Sequence, residues 1–298
     1  MEPGRAHRRY VIAEQPLAPG DYDVPIGWWG WNWDPPVPMS ITELVRAGNM
    51  DTRTAALCWM VIEAHGSLLI AGEQPHSGKT TTLTALLDFL PHDVRRIFVR
   101  GWSETFDFLT QTRPQETLLL VNELSSHLPV YLWGPKAVRT FATLRDGYAI
   151  GSTLHADSAD EAIAQLVGEL GVPAADLGRV ELLMITRIYG LARGGLARRV
   201  VTLHRLSAAD GDVTREPLVT HDASEDAFAH DRAAEERLLA TLRHEEVRRA
   251  AEELERRATL LDGLIRQGTT AIPEVRVALA ADRGDHAPVG VRGDPLYE

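Results

Sequence analysis

Ile70-Ala71-Gly72-Glu73-Gln74-Pro75-His76-Ser77-Gly78-Lys79-Thr80-Thr81-Thr82 is the stretch from which the rest of the chain can be placed. Ahead of it, residues 67–71 form a short apolar run that reads as a strand buried on both faces. Behind it, residues 79–90 read as a helix that Pro91 stops. A loop between strand and helix that closes on Gly-Lys-Thr is the context in which backbone wraps phosphate. Gly72 and Gly78 let the main chain approach phosphate oxygens, and the loop N–H groups around Ser77 and the helix N-terminus supply positive potential. Lys79 is expected on the β- and γ-phosphates, the Thr80 hydroxyl on Mg²⁺ and Thr81 on the α-phosphate side, so ATP and Mg²⁺ are the expected ligands. The loop is irregular: five residues separate its glycines where the pattern has four, and Pro75 removes one N–H donor. A working nucleotide loop, a loop of that ancestry that binds poorly and a chance Gly-Lys-Thr at a strand–helix turn all stay open.

Leu118-Leu119-Leu120-Val121-Asn122-Glu123 follows about 40 residues later. An apolar strand ending in an acid is a weak signal alone and a stronger one after a phosphate loop. Its carboxylate lies beside the metal, reaching it through water, and polarises the attacking water. Glu123 is therefore the candidate catalytic base. In Gly151-Ser152-Thr153-Leu154-His155-Ala156-Asp157-Ser158, His155 ends another buried strand just before a helix cap. By itself a histidine there reads as readily as a structural residue.

The remaining elements alternate. Ser40-Ile41-Thr42-Glu43 is a capping box opening a short helix, and Asp51 caps the next, which stops at Gly66. Residues 96–99, 117–121, 149–153, 180–185 and 198–206 read as strands, and a helix runs from the Ser158 cap to Leu170. Alternation of this kind implies an α/β fold with a mostly parallel sheet flanked by helices. Residues 1–39 carry seven prolines and Trp28, Trp29, Trp31 and Trp33, which pack either onto the main domain or onto a neighbouring subunit or partner. Residues 222–282 read as a C-terminal helical extension, folded back on the same domain or forming a coiled coil, and 283–298 as a disordered tail. The main domain is then 40–221.

The composition sets limits. The single cysteine, Cys58, excludes an internal disulfide and a Cys-based metal site. A net charge of -11 argues against sequence-independent nucleic-acid binding. No apolar run approaches the ~20 residues of a membrane span, so a cytoplasmic protein that meets a membrane through partners is expected.

Ser152-Thr153-Leu154-His155-Ala156-Asp157-Ser158, continued by Ala159–Ala162, resembles the His box of the type II/type IV secretion and pilus-assembly ATPase superfamily. Thr143–Tyr148, the helices ahead of the loop, Arg198-Arg199-Val200-Val201 and the stretch from Glu253 to Val275 extend that resemblance over roughly residues 37–282, in the manner of the archaeal-type branch. The resemblance implies a RecA-like P-loop NTPase core and a homo-oligomer, a hexameric ring with ATP between subunits. It also implies motion passed to an inner-membrane platform protein. By the motif match His155 senses the γ-phosphate side, and Glu104 takes the last acidic position of the family's Asp box, making it a further catalytic candidate. Departures accompany it: Arg100 stands where that box begins with an acid, residues 126–136 are an insertion expected as a surface loop, and the family's large N-terminal domain has no counterpart before residue 40. Two functions follow. One is an ATP-hydrolysing motor or accessory motor, and the other is a degenerate subunit that co-assembles with a full-length secretion ATPase.

Overall fold

Leu68 and Ile70 pack into one hydrophobic cluster and Leu69 and Ala71 into another, so this four-residue strand is covered on both faces. That is why its sequence is an unbroken apolar run rather than an alternation. The fold is described from a computed structural model, over residues 22–25, 38–72, 76–128, 131–190, 195–242 and 247–284. Glu73–Pro75 of the loop, the four tryptophans at 28–33 and the tail after Gly284 lie outside the described residues.

The elements follow as α1 (Ile41–Arg46), α2 (Thr52–Glu63), β1 (Leu68–Ala71), α3 (Lys79–Leu86), β2 (Arg95–Val99), β3 (Thr117–Leu124), α4 (Gly134–Ala142), β4 (Ala149–Leu154), α5 (Ala159–Ala164), α6 (Ala174–Leu177), β5 (Leu182–Gly190), β6 (Leu196–Ala209), β7 (Asp212–Asp222), β8 (Ala227–His230), α7 (Arg232–Leu242), α8 (Val247–Arg266) and α9 (Ile272–Arg283). The eight strands make one sheet in the order β2-β3-β4-β1-β5-β6-β7-β8. From β2 to β5 every pairing is parallel, and β6, β7 and β8 extend the sheet antiparallel.

Helices cover both faces. The cluster containing Leu68 and Ile70 also takes side chains from α1, α2, α3, α7, α8 and α9, and the one containing Leu69 and Ala71 takes them from α4, α5 and α6. The C-terminal helices therefore lie on the same core as the strand of the phosphate loop. Arg257 of α8 joins them to α2: its guanidinium lies 4.5 Å from the Trp59 ring centroid and pairs with Glu63. Trp59 in turn stacks on Phe89 at 5.1 Å, with the rings 4° from parallel.

The caps read from sequence are present. Ser40 and Glu43 make the reciprocal capping box, and Asp51 accepts from Thr54 N at 2.8 Å. At α5 the Ser158 side chain caps Glu161 N, while the Glu161 carboxylate instead accepts from Asp157 N. Three elements differ from the sequence expectation. β7 and β8 occupy residues for which no strand is expected, and α4 begins at Gly134 inside the segment read as a surface loop.

Candidate functional site

The loop after β1 hangs between two strands. On one side Gly72 N donates to Leu154 O at 3.2 Å, continuing the β1–β4 ladder by one rung. On the other, Thr186 Oγ1 of β5 donates to Ala71 O at 3.0 Å. Gly72 itself is boxed in: a Cβ there would stand 2.6 Å from Thr186 Oγ1 and 2.7 Å from Ser77 Oγ, so no side chain fits. Ser77 is buried, and its Oγ has no hydrogen-bond partner among the described residues. A buried hydroxyl left over inside a tight loop is a ready donor for an anion.

Gly78 turns the chain into α3 with φ +90°, a left-handed conformation that favours glycine. Among the described residues no side chain caps the N-terminal amides of α3, in contrast to α1, α2 and α5. Lys79 opens the helix, is buried, and folds back so that Nζ donates to Gly72 O at 2.5 Å. Its ammonium thus sits across the mouth of the loop. Thr80 and Thr81 follow half-buried on the first turn.

Glu123 and His155 approach the same edge of the sheet from β3 and β4. Between Val121 and Leu124 on β3 there is one more residue step than between Ser152 and Leu154 on β4, a bulge. Bulges re-aim side chains. Here Glu123 Oε1 comes within 2.8 Å of His155 Nε2. The two atoms are close, but Glu123 Oε1 makes no aligned hydrogen bond among the described residues. The bulge is held by Thr153 Oγ1 donating to Asn122 O at 2.5 Å and by Leu132 N donating to Glu123 O at 2.9 Å. Leu132 belongs to the insertion, which returns against β3 through a Leu124–Leu132 bridge. His127, on the same insertion, brings its ring centroid to 6.2 Å from that of His155. The segment expected as a surface loop thus supports Glu123 from behind.

Glu104 is placed differently. It is buried beyond the end of β2, where Oε1 accepts from Tyr22 O–H at 2.9 Å and from Phe106 N at 2.6 Å, and Oε2 accepts from Arg100 N at 2.8 Å. Burial also pushes the Tyr22 hydroxyl up to about 12, so it remains a donor. Arg100 Nη1 donates to Val24 O at 3.0 Å. In this arrangement the acid and the arginine of that segment hold residues 22–25 against the domain.

The structure thus gathers Gly72, Ser77, Gly78, Lys79, Thr80 and Thr81 on one loop and helix start, with Glu123 and His155 at the ends of the strands beside it. Thr186, which shapes the loop from β5, carries no motif and was not legible in advance. Among the described residues no three His, Cys, Asp or Glu side chains gather as a metal cluster. Among them, too, no helix is long and apolar enough to cross a membrane.

No family model matches the chain. Among curated proteins it is 29% identical over 267 residues to the uncharacterized protein MJ0900 of Methanocaldococcus jannaschii, a match covering 77% of this chain and 46% of that protein. It is 24% identical over 200 residues to MJ1287 of the same organism, covering 61% of this chain and 73% of that one. The chain therefore spans under half the length of the first of these relatives. Among solved structures, the ATPase DotB of Yersinia pseudotuberculosis aligns with a TM-score of 0.39 at 13% identity over 88% of this chain and 63% of its own. The VirB11 ATPase of the Brucella suis type IV secretion system, in complex with sulphate, aligns with a TM-score of 0.37 at 18% identity over 65% of this chain and 66% of its own.

Proposed function

We propose that the chain binds Mg-ATP at the loop between β1 and α3 and hydrolyses it, as a motor or accessory ATPase of a type II/type IV secretion or pilus-assembly machine. The observation that carries this reading is the boxed glycine loop with its unpartnered buried Ser77 hydroxyl and its Lys79 ammonium folded across the mouth. An anionic phosphate chain matches each of these features. In the bound state the loop amides, Ser77, Lys79 and Thr81 hold the phosphates. Thr80 would offer a hydroxyl to Mg²⁺. Mg²⁺ supplies charge neutralisation and orientation of the phosphates. Glu123 is the carboxylate that accepts a proton from water, and His155, in contact with it, links the state of the phosphate side to the end of β4.

Membership of a ring, co-assembly with a full-length secretion ATPase and contact with an inner-membrane platform protein belong to this proposal through the sequence resemblance. So do the archaeal-type branch and a cytoplasmic location. A second reading, a degenerate subunit that binds nucleotide without turnover, is favoured by one feature: Glu104 and Arg100 are taken up in holding residues 22–25. Equilibrium binding of Mg-ATP with phosphate release measured in parallel, and Lys79→Ala as control, separates the two. Binding lost in Lys79→Ala together with release supports the motor. Binding without release supports the degenerate subunit, and no binding at millimolar Mg-ATP overturns both.

A further inference from the structure

Arg198 lies on β6, two strands away from β1, yet its side chain ends on the phosphate loop. Nε donates to His76 O at 2.7 Å, and Cδ passes 3.0 Å from where a Cβ at Gly78 would stand. The register explains the reach. Thr186 pairs with Val200 and Ile188 with Arg198, so Thr186 and Arg198 share one face of the β5–β6 ribbon. Thr186 closes on Gly72 at the start of the loop and Arg198 on Gly78 at its end. The neighbouring Arg199 is consumed elsewhere, donating to Asp226 and to Ala47 O. Among the described residues no carboxylate is paired with Arg198. An arginine without a carboxylate partner thus stands beside a loop whose Pro75 carries no N–H.

We infer that Arg198 is a phosphate ligand supplied in cis: its guanidinium, steadied through Nε on the loop, offers its remaining N–H donors to the phosphate chain of a nucleotide seated between Gly72 and Lys79. The fork geometry and permanent charge of arginine suit that task. This rests on the nucleotide-binding reading above and adds a residue from the antiparallel part of the sheet to it.

The test is calorimetric titration of Mg-ATP into the full chain and its Arg198→Gln, Arg198→Lys and Lys79→Ala variants, with thermal melts to verify folding. Arg198 is exposed, so the Gln and Lys variants are expected to melt like the wild type. Arg198→Gln should weaken binding roughly tenfold or more, and Arg198→Lys, which keeps a point charge, should recover part of that loss. Arg198→Gln within about twofold of wild type, while Lys79→Ala abolishes binding, overturns the inference and leaves the nucleotide site standing. Arg198→Lys as weak as Arg198→Gln also overturns it, since the residue would then act by holding the His76 carbonyl rather than by charge. A wild-type chain that takes up no Mg-ATP removes the site and the inference together.

Discussion

His155 Nε2 stands 2.8 Å from Glu123 Oε1, across a pair of strands whose register slips just before they meet. If Glu123 is the proton acceptor for water, Glu123→Gln keeps the shape and removes the basicity. Phosphate release is then expected to fall by ~10²-fold or more, while Mg-ATP binding stays within about threefold of wild type. Stopped-assay phosphate release alongside nucleotide retention on a filter reads both numbers, and equal turnover in the variant removes Glu123 from the mechanism.

The crowding around Gly72 leads to a second expectation. Gly72→Ala would drive a methyl group into Thr186 Oγ1, Ser77 Oγ and the Thr186 carbonyl. Overpacking of this kind costs about 1–3 kcal/mol, and here the strain falls on the loop. A lower urea midpoint with Mg-ATP binding weakened at least about tenfold is the expected pair of results. An unchanged affinity would show that the loop conformation does not matter to the ligand.

A third concerns pH. His230 sits between Asp51 and Glu235, with its two ring nitrogens each 2.8 Å from a carboxylate oxygen. Burial disfavours its charge, but the hydrogen bonds to Asp51 and Glu235 outweigh that and raise its pKa to about 9. A histidine raised on folding contributes stability that is full below its unfolded value near 6.5 and is lost as pH climbs through about 9. The contribution is on the order of 3 kcal/mol. Urea midpoints between pH 6 and 10 should therefore decline in the wild type, and the decline should be shallower in His230→Asn.

The Trp59–Phe89 stack under Arg257 supports a fourth. Trp59→Ala is expected to cost about 3–5 kcal/mol through the cavity alone. Arg257→Met, which keeps the stem on the ring and removes the charge, leaves Glu63 and Glu253 without their shared partner and should cost less. Chemical denaturation orders the two variants, and the reverse order would mean that α8 is held by its ion pairs rather than by the ring.

Much of this arrangement could be read in advance wherever one local rule dominated. The buried β1 showed itself as an apolar run, and the caps at Ser40, Asp51 and Ser158 as side chains with a fixed reach. What stayed hidden depended on distant partners. β7 reads as polar because its outer residues face solvent, and Pro217 interrupts its pattern where it pairs with His204 at a register shift. The antiparallel strands β7 and β8 were therefore invisible to a search for apolar runs. The purpose of the insertion was hidden for a similar reason: Leu132 matters for one backbone bond to Glu123 O, and backbone bonds leave no mark on composition. Glu104 matched a motif position, yet what holds it is set by Tyr22, 82 residues earlier in the chain.

The last rung between β1 and β4 joins the Gly72 amide to the carbonyl of Leu154, one residue before His155. One peptide hydrogen bond therefore ties the start of the loop to the strand end that carries the histidine. A ligand that draws the loop inward has to stretch that bond or carry the end of β4 along with it. The Gly72 amide proton becomes a gauge of the whole site, its exchange with solvent slowing or quickening according to which of the two occurs.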